Sequence, residues 1–244
     1  MEAAGTGRDT RHGAAGNERA YGVAVPERHD LVWLTAEGWN RFADREPGLM
    51  AIPGMALWPQ EDFPVMVRRR QPADDAGRWP VAVALPAAFG RARLGFQIEA
   101  RDVAAVSAPP SWLEAASSLP EPWRSRGEAT GAMGAGIGLQ PRVFGSAMWQ
   151  HLTGMTFLRP ASDLDLLWKV RGGPGAGELA CRLASGLERL NRDPGPRLDG
   201  EVVLAGRGVQ WRELLRGGAD ELLVKSVDEV MLMPVRQFLS AGAA

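Results

Sequence analysis

The sequence predicts an α+β protein, a small mostly-β module at the N-terminal side followed by a sheet with helices packed on one side. Three observations predict it. Residues 64–99 hold short apolar runs separated by Pro, Gly and Asp clusters, the pattern of antiparallel strands. Asp163, Leu164, Asp165 and Leu166 alternate acidic and apolar side chains at the strand period of two. Leu179, Leu183, Leu187 and Leu190 then recur at helical spacing before a second strand-like run, 197–204.

Taken in order, residues 1–22 are rich in Gly, Ala and charge without apolar periodicity and are expected to form a disordered tail. An N-terminal α+β module is expected over 23–106. It opens on Leu31-Val-Trp33-Leu34 as the first buried segment, followed by a short helix over Ala36 to Phe42 and strands at 65–67, 81–85 and 96–99. The stretch 107–138 turns to Pro, Ser, Gly and Ala and reads as a flexible linker. Its glycines at 131, 134, 136 and 138 precede a strand, whereas a dinucleotide-binding turn must follow one. The last domain spans 139–244. Arg142-Val-Phe144 reads as a strand entering Gly145-Ser146, with a helix from Ala147 to Leu152. After the 163–166 strand come the leucine helix, ended by Pro194 and Pro196, and the strand 197–204, in which Asp199 and Glu201 share a face. Trp211-Arg212-Glu213-Leu214 opens a helix, and 221–233 reads as a terminal hairpin with Lys225 near its turn.

Composition narrows the class of function. The chain has 244 residues, 45% of them hydrophobic, enough for one large core or two modest ones. A net charge of −1 argues against a general nucleic-acid binder, which depends on releasing many counterions. Only Lys169 and Lys225 among 28 basic residues are lysine, and arginine is the better fork for phosphate and carboxylate. The single cysteine, Cys181, excludes an internal disulfide and a cysteine-based metal cluster. No apolar run reaches the length of a membrane span and no signal-peptide core is present, so a cytoplasmic location is expected.

The chemistry concentrates in two stretches. Asp163 and Asp165 lie one strand pitch apart on one face, a bivalent site for a hard cation; magnesium is usually held by one or two carboxylates together with substrate phosphates. Gly145-Ser146 at a helix N-terminus aims backbone N–H groups and a hydroxyl at one point, which suits an anionic phosphate. Arg91 and Arg93 could set two guanidinium groups toward a polyphosphate, and Arg68-Arg-Arg70 is a second basic run; both patterns also serve as solvated edge charge. Arg212 has the same two uses, phosphate contact or a salt bridge on its own surface. His29, at the edge of an apolar strand, is either a functional ligand or a hydrogen-bonded structural residue.

The order strand, Gly-Ser, helix, Asp-x-Asp strand resembles the nucleotidyltransferase superfamily related to DNA polymerase beta, with sixteen residues, Ala147 to Ser162, between the two parts where most members use fewer. A closer resemblance is to the phosphoribosyl-dephospho-CoA transferases that make the holo-acyl-carrier protein of malonate decarboxylase. It is carried by Gly145-Ser-Ala-Met-Trp149-Gln150-His-Leu152-Thr153-Gly154, Phe157 and Ser162-Asp-Leu-Asp165. Arg28-His29-Asp30-Leu31-Val-Trp33-Leu34, Asp199-Gly200-Glu201-Val202 and Trp211-Arg212-Glu213-Leu214 add to it. It runs from about Glu27 to Leu239. The resemblance implies a nucleotidyltransferase-like mixed sheet and a magnesium-dependent enzyme. Asp163 and Asp165 would hold the metal and Asp199 would be the third carboxylate, with Glu201 its rival, while Gly145 and Ser146 would grip the leaving pyrophosphate. It further implies triphosphoribosyl-dephospho-CoA as donor and a serine of the malonate decarboxylase acyl-carrier protein as acceptor, with no nucleic-acid or membrane partner. The alternatives are another acceptor, a citrate-lyase type carrier or a small molecule, and a non-catalytic binding protein of the same fold.

Overall fold

The structure is a computed structural model and describes residues 26–216 and 221–240; the expected tail at 1–22 lies outside them. The first elements among the described residues are strand β1 (Leu31–Leu34) and helix α1 (Ala36–Arg45). Thr35 caps α1 by accepting from the Gly38 N–H, and Pro47 two residues past its end starts a separate short turn, α2 (Pro47–Met50). Then follow α3 (Leu57–Gln60), β2 (Val65–Val67), β3 (Trp79–Ala84), β4 (Arg93–Ile98) and β5 (Val103–Ser107). These five strands form one antiparallel sheet in the order β4-β3-β2-β1-β5. Trp39 and Phe42 on one stripe of α1 are buried in its core, with the Phe42 ring 4.2 Å from that of Phe96.

The segment read as a linker is helical. A short α4 (Trp112–Ala115) is capped by a reciprocal Ser111–Glu114 box, and α5 (Glu121–Ala135) follows for fifteen residues. Its glycines are packing positions: the Trp112 ring lies against Gly127 and Gly131, and the Trp168 ring against Gly134. Arg126, buried in α5, donates to the carbonyls of Leu190, Asp193 and Pro194. Small residues that let large indoles approach have the same composition as a flexible connector, and only the tryptophans distant in sequence tell them apart.

The remaining elements are β6 (Arg142–Val143), α6 (Gly145–Thr153), β7 (Leu164–Val170), α7 (Ala176–Leu190), β8 (Leu198–Leu204), β9 (Arg207–Gln210), β10 (Glu221–Lys225), β11 (Val230–Pro234) and α8 (Val235–Ser240). Trp211–Leu215, between β9 and β10, is a 3-10 turn rather than a full helix. The second sheet is mixed, ordered β11-β10-β9-β8-β7-β6, with β7 and β8 parallel and their crossover made by α7. Leu164, Leu166, Trp168 and Val170 are the buried face of β7, while Asp165 and Lys169 point the other way.

The two halves share one apolar cluster, in which Trp58 of α3 meets Trp149 of α6 at 6.0 Å between ring centres. Polar ties cross as well: Arg28 to Glu201, Lys169 to Glu27 at 2.6 Å and Arg70 to Asp228 at 3.0 Å. Arg68 and Arg70 of the triple-arginine run are thereby structural, Arg68 being forked on Asp74 at 2.6 and 2.8 Å.

Candidate active site

Parallel pairing of β7 with β8 brings the acids together. Asp165 is the register partner of Asp199, and Leu167 of Glu201, so the acidic residues of both strands lie on the face opposite the core. Asp163, two residues before Asp165, continues that face off the strand end. The pairing needs glycine at position 200, because φ is 131° there and any Cβ would run into the Leu166 carbonyl.

Gly145 brings the start of α6 to the same point. It is the first residue of α6, with φ 65°, and a Cβ on it would strike Asp165 Oδ2. The preceding Phe144 donates its N–H to the Asp165 carbonyl at 3.1 Å, which fixes the helix start over the carboxylate. The extra residues between the two motifs form a loop held by Gln150, whose Oε1 accepts from the N–H groups of Phe157 and Leu158 at 3.2 and 3.1 Å.

Each acid has a distinct environment. Asp163 is forked by Arg197 at 3.2 and 2.7 Å, and Arg197 also lies 3.9 Å from Asp199. Asp199 Oδ1 accepts from the Gly200 N–H, from Gln210 and from Arg212 at 3.2 Å. Arg212 also donates to the Leu198 carbonyl and lies over the Trp211 ring, so of its two uses the structure shows the salt bridge. Asp165 is pushed up to about 7 by burial first and then by the negative charges of Asp199 and Asp163, with Arg93 and Arg197 opposing. Glu201 shares no hydrogen-bond partner with the three aspartates. It accepts from Arg28 and from His29 Nε2 at 3.3 Å. Burial works against its charge, but the His29 hydrogen bond and the Arg28 guanidinium outweigh it and hold Glu201 down at about 2.

A cavity of about 570 Å³ opens at Asp165 between the two sheets. Gly145, Ser146, Arg91, Arg93 and His29 line it, and Trp149, Phe157, Met66 and Leu85 give it an apolar wall. Arg91, at φ 51°, sits in the turn before β4 and Arg93 is its first residue, so a turn and a strand end present the two guanidinium groups. Arg159 lines the same cavity and was not singled out by the sequence, where nothing marks an arginine in an irregular loop. Arg197 was missed too, although the strand period of two puts it on the face of Asp199. Asp163 and Arg197 line a separate groove of similar size with Trp123 and Pro196.

The donor set suits a hard divalent cation: carboxylate oxygens in register on neighbouring strands, one of them resisting ionisation because it is buried and lies near two other carboxylates. Among the described residues no three His, Cys, Asp or Glu side chains enclose an ion by themselves. Such a site would draw its remaining ligands from a substrate and water. No helix among the described residues is long and apolar enough to cross a membrane.

Residues 27–109 match the phosphoribosyl-dephospho-CoA transferase MdcG N-terminal domain and residues 105–236 match the MdcG C-terminal domain. A phosphoribosyl-dephospho-CoA transferase of Bradyrhizobium diazoefficiens is 34% identical over 223 residues, 91% of this chain and 96% of that protein. Its counterpart in Xanthomonas campestris pv. campestris is 35% identical over 208 residues, 85% of this chain and 93% of that one. No solved structure was found to match. Both halves of the chain and nearly the whole length of these relatives are accounted for, and the chain belongs to the phosphoribosyl-dephospho-CoA transferase family.

Proposed function

We propose that this protein transfers phosphoribosyl-dephospho-CoA from its triphosphoribosyl precursor to a serine hydroxyl of an acyl-carrier protein, that of malonate decarboxylase, in the cytoplasm. The observation that carries the reading is the placement of Asp165 in one cavity with the Gly145-Ser146 turn and three arginines, Arg91, Arg93 and Arg159, with Asp163 and Asp199 on the same strand face as Asp165.

In this reading the serine oxygen attacks the α-phosphorus of the triphosphate. A phosphorus–oxygen bond to the carrier forms, the α–β anhydride bond breaks, and pyrophosphate leaves with the bonding electrons while the hydroxyl proton goes to water. Asp163 and Asp165 would hold a magnesium ion and Asp199 would complete a second site. Magnesium, when bound, offsets phosphate charge and eases loss of the hydroxyl proton. The N–H groups and hydroxyl of Gly145-Ser146 bind the leaving pyrophosphate, and Arg91 and Arg93 balance the charge it gathers. The apolar wall takes the less polar parts of the donor, which excludes water from the reacting phosphate.

Substituting Asp163 or Asp165 by Ala or Asn is expected to reduce transfer by at least about a thousandfold while carrier binding stays within a few-fold, because the change removes charge stabilisation at the phosphate rather than a docking surface. Retained turnover in either variant contradicts the metal role.

A further inference from the structure

His29 lines the cavity beside Asp165, yet no step above uses it. It belongs to a tight turn in which the Asp30 N–H donates to the Glu27 carbonyl at 3.1 Å, while its own N–H donates to the Val67 carbonyl at 2.9 Å. Its φ is 78°, in the left-handed region that side chains with a Cβ seldom occupy and that recurs where a fold must deliver a particular group. Delivered this way, the ring packs against Phe144, the residue before the cradle glycine, with centres 4.5 Å apart.

The ring's hydrogen bonding is half complete. Nε2 faces Glu201 Oε2 at 3.3 Å, and Glu201 is a carboxylate also bound by Arg28. A carboxylate only accepts, so Nε2 carries the proton of this pair. Burial holds the imidazole below its usual range, in its neutral form, which leaves a lone pair on Nδ1. Nδ1 is buried without a hydrogen-bond partner in a residue only 7% exposed. An unfilled acceptor in a desolvated place weakens the fold, and the residue that carries it is one of those lining the cavity.

We propose that His29 is a substrate-contacting residue: its Nδ1 accepts a hydrogen bond from a substrate hydroxyl, and Glu201 fixes the tautomer that makes this possible. The inference rests on the reading of this cavity as the transfer site. Both substrates in that reading bring hydroxyls, the ribose of the donor and the serine of the carrier, and the chemistry is the same for either.

The two amide variants separate this role from a structural one. Asparagine sets its amide near the position of Nδ1 and tolerates the left-handed backbone, whereas glutamine reaches toward Nε2 and can keep the Glu201 contact. Steady-state transfer from triphosphoribosyl-dephospho-CoA to the carrier would be measured with magnesium for both, beside thermal melting. His29→Gln is expected to melt close to the unsubstituted protein and transfer about thirtyfold or more slower, and His29→Asn to keep transfer within about fivefold. A loss seen in KM and donor affinity assigns the hydroxyl to the donor, and a loss in kcat with donor affinity unchanged assigns it to the serine; both support the proposal. His29→Gln transferring at full rate, or His29→Asn losing as much as His29→Gln, overturns it. If His29→Gln does not fold, His29→Asn is compared with His29→Ala, and equal transfer by the two overturns it. An unsubstituted protein that modifies no carrier instead removes the transferase reading, and this inference with it.

Discussion

Asp165 sits largely buried between two other carboxylates, and burial with their charge raises its pKa from 3.8 to about 7. Below 3.8 the folded and unfolded chains are both protonated at this position. Between the two values the unfolded chain has lost a proton that the folded one keeps, so folding stability falls as pH rises from about 4 to about 7 and stays reduced above that. The shift corresponds to about 2–4 kcal/mol once solvent screening is allowed for. Asp165→Asn, with chelator present, is therefore expected to melt several degrees above the unsubstituted protein at pH 8 and to lose the advantage near pH 4. Calorimetry at the two pH values checks this. A variant that is inactive in transfer and more stable marks a residue kept for chemistry at the cost of stability. This much was half legible: the period of two exposes Asp163 and Asp165 as a pair, but the depth of Asp165 depends on which strand lies beside it. The role of Arg212 was open for a similar reason. Nothing local distinguishes an arginine aimed at phosphate from one committed to Asp199 at 3.2 Å.

At the scale of elements, the site is the meeting of a helix start with a parallel strand pair. Gly145 joins them, so Gly145→Ala combines a left-handed backbone with a clash against Asp165. It is expected to reduce transfer at least about a hundredfold while lowering stability by roughly 1–3 kcal/mol, read from chemical denaturation beside the transfer assay. The amphipathic α7 and the strands on either side of it were readable from leucine spacing and alternation because their burial follows from their own sequence. Helix α5 was not. Apart from Trp123, it packs through glycines against Trp112 and Trp168, so its own residues carry no periodic signal. The long spacing between Gly145-Ser146 and Asp163 reads as an insertion, and it is a loop pinned to Gln150 that brings Phe157 and Arg159 to the cavity.

For the whole molecule, the cavity lies where the antiparallel-sheet half of the chain meets the mixed-sheet half. Arg91 and Arg93 come from one, and Asp165, Gly145 and Ser146 from the other. With one apolar cluster shared between them, the chain is expected to unfold in a single transition, tryptophan fluorescence and far-ultraviolet circular dichroism coinciding; two separated transitions contradict it. Glu201 is the polar counterpart of that seam. Held at about 2 against 4.5 for an ordinary glutamate, it adds stability that is present above about pH 4.5 and is lost as pH falls toward 2. Glu201→Gln is expected to weaken the fold by roughly 1–3 kcal/mol at neutral pH, leaving the half-buried Arg28 without its anion, and by much less near pH 2, which denaturant titrations at the two pH values would show.

The central claim is that the three aspartates beside the Gly145-Ser146 turn form a transfer site. Intact-mass measurement of the malonate decarboxylase acyl-carrier protein, after incubation with this protein, magnesium and triphosphoribosyl-dephospho-CoA, tests it most directly. The account predicts a carrier heavier by one phosphoribosyl-dephospho-CoA group with the unsubstituted protein and an unchanged carrier with Asp165→Asn. An unchanged carrier in both reactions, or an equal gain in both, would contradict it.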